Sequence, residues 1–113
     1  MAKQTFKIQK RQSGKTYKLI GKFLKYQSEG KHPLLFSYNN AKVESIKDVL
    51  RHYINDVSTV YSRASWKSSI TLLTDVILID DFLQWSKEDL EEIRMISRKQ
   101  NIKIYALSSM SGE

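Results

Sequence analysis

The segment Asp75-Val76-Ile77-Leu78-Ile79-Asp80-Asp81 does most to limit what this chain can fold into. A strand with one face in water alternates apolar and polar residues, whereas an unbroken aliphatic run bounded by acids fits a strand buried on both faces. Such a strand belongs in the centre of a parallel sheet. Parallel neighbours need long crossovers, usually helical, so the rest of the chain must supply helices for both sides.

It does so in alternation. Thr5-Phe6-Lys7-Ile8 reads as a short strand and runs into the polar stretch Gln9 to Gly14. From Lys15 to about Ser28, Leu19, Ile20, Phe23 and Leu24 recur at helical spacing, with Lys18, Lys22, Lys25 and Glu29 on another face and Gly30 as a stop. Pro33 introduces a second strand, Leu34 to Tyr38, and Asn39-Asn40 can cap a helix with apolar positions Val43, Ile46, Leu50 and Tyr53 or Ile54. Val57 to Tyr61 is a further strand candidate, and Ser62 to Ser69 is a loop or the start of a short helix ending near Leu73. Ser86, with Asp89 three residues on, acids in the first turns and Arg98-Lys99 near the end, marks the next helix, stapled by Trp85 and Leu90. Ile102, Ile104, Ala106 and Leu107 form the last strand candidate.

This order predicts one α/β domain over residues 1–113, with three layers. A mostly parallel sheet of about five strands carries helices on both faces. A chain of 113 residues leaves little room for a second domain. The absence of cysteine excludes disulfide scaffolds, thiolate zinc sites and cysteine nucleophiles, and two histidines are too few for a histidine metal cluster. With no apolar run near membrane-spanning length and no signal-peptide core, the expectation is a cytoplasmic protein without a membrane partner.

Charge is unevenly spread. Residues 1–31 hold nine Lys/Arg against one acid, while residues 32–113 hold ten against eleven. A basic front of that density suits a polyanion: nucleotide phosphates, nucleic acid or an acidic protein.

Gly14-Lys15-Thr16 lies between a predicted strand and a predicted helix. There, loop N–H groups and a helix dipole converge on an anion, the lysine reaches terminal phosphates and the hydroxyl serves Mg²⁺. Gln9 stands where the first glycine of the eight-residue phosphate-loop pattern would be. Val76 to Asp81 supplies the second part, an apolar strand ending in two acids. Asp80 is expected to hold Mg²⁺ and Asp81 to orient or deprotonate the attacking water.

These two motifs, in this order, resemble the P-loop NTPase superfamily from Thr5 to Ser109. Arg11-Gln12-Ser13-Gly14-Lys15-Thr16 is similar to the deviant Walker A of phage terminase motors and helicase-like ATPases. Ile79 to Glu88 is similar to the Walker B region of thymidine kinases. The resemblance implies ATP and Mg²⁺ as ligands, with Arg11, Gln12, Ser13, Gly14, Lys15 and Thr16 around the phosphates. It also implies Thr16 and Asp80 on the metal, Lys15 and Asp81 in catalysis, and a polar sensor at Ser108-Ser109. The zinc-bearing lasso of thymidine kinases and the nuclease domain of terminases have no counterpart here.

The leading expectation is a small nucleotide-binding protein, an Mg²⁺-dependent ATPase acting on or beside nucleic acid in phage-type DNA metabolism or packaging. Lys18, Lys22 and Lys25 would contact the polymer. No arginine finger is evident in cis, so a second copy or a partner would bring one, with Arg63, Arg94 or Arg98 as donors. One alternative is a non-catalytic binding protein that uses the same basic front; the other is a nucleoside or nucleotide kinase. His32 and His52 read as surface residues and Trp85 as packing, while Trp66, between Arg63 and Lys67, is the better placed tryptophan for stacking on a base.

Overall fold

A computed structural model describes residues 3–10 and 14–109. Among them the chain forms β1 (Gln4–Gln9), α1 (Lys15–Ser28), β2 (Pro33–Ser37), α2 (Asn40–Leu50), β3 (Val60–Ser62), β4 (Val76–Asp80), α3 (Lys87–Gln100) and β5 (Lys103–Ser109). Short 3-10 turns cover Lys67–Ser69 and Phe82–Gln84. The strands form one sheet in the order β1-β5-β4-β2-β3, and every neighbouring pair is parallel. The aliphatic run that demanded a central position has it: β4 is third of five, and each of its residues is buried.

The order also fixes which helix covers which face. The steps β1 to β2 to β3 advance across the sheet, and the steps β3 to β4 to β5 return. Crossovers of one hand therefore place α1 and α2 on one side and α3 on the other. The core divides accordingly. Leu19, Phe23, Val43, Ile46 and Leu50 pack with Leu35 and Leu78 on the first side. On the second, Ile93, Trp66, Trp85 and Phe82 pack with Phe36, Ile77, Ile79 and Ile104.

Three boundaries differ clearly from the sequence reading. The third strand is only Val60–Ser62, because the Asp56 carboxylate accepts the Ser58 N–H at 2.9 Å in a local turn that competes with a ladder. Val57 still reaches the core from that turn. α2 closes at Leu50 through tight bonds from the His52 N–H to the Val49 carbonyl and from the Tyr53 N–H to the Leu50 carbonyl. Tyr53 is consequently exposed, and Ile54 is the residue that packs. The short helix after Ser62 ends at Ser69, leaving Leu72 and Leu73 in water.

Candidate functional site

All three helices begin at the carboxyl end of this parallel sheet, the end where open α/β sheets bind ligands. On the side of α1 and α2 that end gathers Lys15, Thr16, Lys42, Asp80 and Asp81. Gly14 precedes α1 in the left-handed region, at φ 73° and ψ 28°, and its carbonyl accepts the Lys18 N–H at 3.0 Å. Only glycine takes this conformation without a Cβ penalty, which accounts for the residue before Lys15. Among the described residues no side chain caps the N-terminus of α1, and its first turn holds no acid.

Lys15 and Thr16 then turn back over β4. The Lys15 ammonium lies 2.9 Å from Asp81 Oδ1 and 3.8 Å from Asp80 Oδ1. The Thr16 hydroxyl stands 3.3 Å from Asp80 Oδ2, linking residues 64 positions apart. Asp80 is fully buried, and among the described residues its Oδ1 has no hydrogen-bond partner. Burial, and secondarily the neighbouring Asp81 charge, raises the Asp80 pKa above the ordinary carboxylate value, against the opposing pull of Lys15, Lys42 and the Thr16 hydroxyl. Asp81 occupies the left-handed region, at φ 57° and ψ 51°, and its N–H is anchored to the Leu107 carbonyl at 2.8 Å. Aspartate tolerates that conformation better than most residues, and it aims consecutive carboxylates at the same lysine.

Two members of the site escaped the sequence reading. Lys42 extends from the first turn of α2, where Asn39 accepts its N–H at 2.9 Å, and its ammonium lies 4.0 Å from Asp80 and 3.8 Å from Asp81. A cation at a helix N-terminus opposes the dipole, so a first turn with a lysine and no acid was the available signal. Ser37 ends β2 one residue beyond the paired Phe36 and Ile79, which brings it alongside Asp80 in the sheet. It is fully buried, with no partner for its hydroxyl among the described residues. A small polar residue closing the apolar run Leu34-Leu35-Phe36 was its signal.

Other expected positions lie elsewhere. Arg11, Gln12 and Ser13 are outside the described residues. Trp66 is not available to stack on a base: it is 1% exposed, between Phe36 at 6.0 Å and Trp85 at 6.5 Å. The short serine-rich turn folds it onto the second side of the sheet. The Ser108 hydroxyl accepts the Leu83 N–H at 3.2 Å, so it holds the turn after β4. The Arg94 guanidinium covers the Phe6 ring at 4.3 Å and that of Arg63 the Tyr38 ring at 5.3 Å, while Arg98 is exposed on α3. Lys18 and Lys25 are exposed on α1, whereas Lys22 leans onto the sheet, 4.3 Å from the centre of the Tyr105 ring.

The donor set suits a small hard cation. A buried carboxylate oxygen without a hydrogen bond and an adjacent hydroxyl are oxygen ligands, and Mg²⁺ is commonly held by one or two carboxylates together with substrate phosphates. Among the described residues no group of three or more His, Cys, Asp or Glu could hold a metal, so an all-protein cage is not what the site offers. Lys15 and Lys42 offset part of the cost of burying Asp80 beside Asp81 in the free protein. No protein-family model matches this chain, and no curated protein matches it. No described helix is long and apolar enough to cross a membrane.

Proposed function

We propose that this domain binds a nucleoside triphosphate with Mg²⁺ at the carboxyl end of β1 and β4 and hydrolyses it. The observation that carries this reading is the meeting of Thr16 and Asp80. The hydroxyl that follows the phosphate-loop lysine and the carboxylate that ends the central strand share one point, although nothing local brings them together. A capped helix start and an ordinary strand exit would not require that.

In this reading the N–H groups before α1 and the Lys15 ammonium bind the phosphates, and Thr16 and Asp80 hold the metal. Mg²⁺ supplies neutralisation of charge on the phosphate oxygens when bound. Lys15 exchanges its 2.9 Å pair with Asp81 for the phosphates, so substrate binding frees the Asp81 carboxylate. Asp81 then takes a proton from a water whose oxygen attacks the terminal phosphorus. The bond to the bridging oxygen breaks, and the diphosphate leaves with that electron pair. Lys42 reaches both carboxylates from α2 while remaining 42% exposed, so it is free to swing onto the transferred phosphoryl group. It fills in cis the position for which the sequence suggested an arginine from elsewhere.

Phosphate release under multiple turnover tests this. Asp81→Asn, which keeps a side chain compatible with the left-handed backbone, is expected to lower turnover by about 10²- to 10⁴-fold, as loss of a general base does, with nucleotide affinity retained. Equal turnover in both proteins would remove Asp81 from the reaction. No turnover by wild type, with Mg²⁺-dependent nucleotide binding intact, would favour the non-catalytic alternative.

A further inference from the structure

We infer that the surface shared by α1, β5 and the open side of β1 docks the phosphate backbone of double-stranded nucleic acid, separately from the nucleotide site. Four lysines are held there over two tyrosine rings. Lys22 from α1 and Lys7 from β1 stand 4.3 and 5.8 Å from the centre of the Tyr105 ring, on β5. Lys31 and Lys103 stand 5.5 and 5.3 Å from the centre of the Tyr26 ring, on α1. The exposed Lys18 and Lys25 extend the same helix face. Among the described residues none of these six has a carboxylate within ion-pairing distance. Glu29, at the C-terminal cap of α1, ends the stripe.

Like charges gathered without acids repel one another unless a polyanion answers them. The rings fix the lysine stems, so less freedom is lost when a phosphate arrives. A protein partner would need an apolar centre to the patch. The large exposed apolar side chains of β1 and α1 point away from it: Ile8 alternates to the α3 side, and Tyr17 lines the cleft toward Lys42 and Ile46 on α2. A single strand would need open aromatic faces for its bases, yet Tyr26 is buried and Tyr105 half-buried beneath the lysines. What remains is contact with a backbone. Lys18 to Lys25 spans about 10 Å at ~1.5 Å per residue, and Lys103 to the level of Lys7, which pairs with Leu107, spans about 13 Å along β5. That matches about three to four successive phosphates of one strand.

Fluorescence anisotropy with a labelled DNA duplex of about 20 base pairs and with oligo-dT of equal length, across a salt series, tests the inference. Wild type is expected to bind the duplex with a log–log salt slope of about −3, and to bind oligo-dT more weakly. A triple variant, Lys7→Ala with Lys22→Ala and Lys103→Ala, should flatten the slope by about two units and weaken binding at low salt by at least about tenfold. The exposed pair Lys18→Ala with Lys25→Ala, which touches no packed group, should flatten it by about one unit with the fold intact. Lys15→Ala should bind the duplex like wild type, so failure of the nucleotide reading leaves this result standing. Unchanged affinity and slope in both lysine variants, tighter binding of oligo-dT than of duplex, or no duplex binding by folded wild type at low salt would each overturn it, the last moving the surface to an acidic protein.

Discussion

The two sides of the sheet meet the same problem at its carboxyl end and solve it differently. Each must deal with helix N-termini that carry unpaired N–H groups and the positive end of a dipole. On the α3 side the helix terminus is answered from within the protein, although Trp85 Nε1 and Arg94 Nε stay buried without a hydrogen-bond partner among the described residues. Ser86 accepts the Asp89 N–H at 3.1 Å, Glu88 and Asp89 complement the dipole, and Trp66, Trp85 and Phe36 close over the strands. On the α1 and α2 side the first turns hold no acid, a glycine replaces a capping side chain on α1, and Lys15 and Lys42 add positive charge. Asp80 Oδ1 and the Ser37 hydroxyl stay buried there without partners among the described residues. On the α3 side folding supplies the cap and the acids that its helix terminus needs. The other is left with unmet demands that a phosphate-bearing, metal-bound ligand would meet, and such local conflict marks functional sites.

This contrast can be broken by substitution. The largest expected effect is on the closed side: Trp66→Ala should cost about 3–5 kcal/mol in chemical denaturation, the range for deleting a buried aromatic. Lys15→Ala should leave the domain folded while weakening nucleotide affinity by at least about 100-fold, about 2.7 kcal/mol. A variant at either residue that behaved like the other would erase the distinction between the sides.

Asp80→Asn sharpens it further. The raised pKa means that the fold disfavours the ionised carboxylate. Its contribution to stability is present in full below the ordinary carboxylate pKa and is lost as the pH rises through the raised one. Removing that charge should therefore raise the melting temperature of the free protein at neutral pH, by about a few degrees, while abolishing the effect of Mg²⁺ on nucleotide binding. The same shift predicts that Mg²⁺-dependent binding fails on acidification at a higher pH than an ordinary carboxylate would allow, which titrations at a series of pH values will show. The smallest effects are at the two caps. Ser86→Ala and Asn39→Ala should each cost about 1 kcal/mol of stability, but only Asn39→Ala, which loosens the turn that aims Lys42, should also lower turnover.

The sequence was most legible where one requirement dominated. The aliphatic run of β4, the caps Asn39 and Ser86 and the helical spacing of Leu19, Ile20 and Phe23 lie where they were expected, because burial and local hydrogen bonding act within a few residues. The strand after Val57 was shortened by a carboxylate turn that periodicity does not register. Within the site, Lys15, Thr16, Asp80 and Asp81 could be named from motifs, since each sits at a strand or helix end. Lys42 and Ser37 could not, because their membership depends on β2 lying beside β4, a fact of sheet order. Trp66 shows the converse: its basic neighbours suggested a surface role, and the fold turned it inward.

The central claim is that Lys15 and the Thr16–Asp80 pair form one metal-assisted phosphate site, and titration calorimetry of a non-hydrolysable ATP analogue tests it most directly. With wild type, binding should be strengthened by Mg²⁺. In Lys15→Ala the affinity should fall by at least about 100-fold, and in Asp80→Asn the Mg²⁺ effect alone should vanish. Affinity indifferent to Mg²⁺ in wild type, or unchanged in folded Lys15→Ala, would contradict the account.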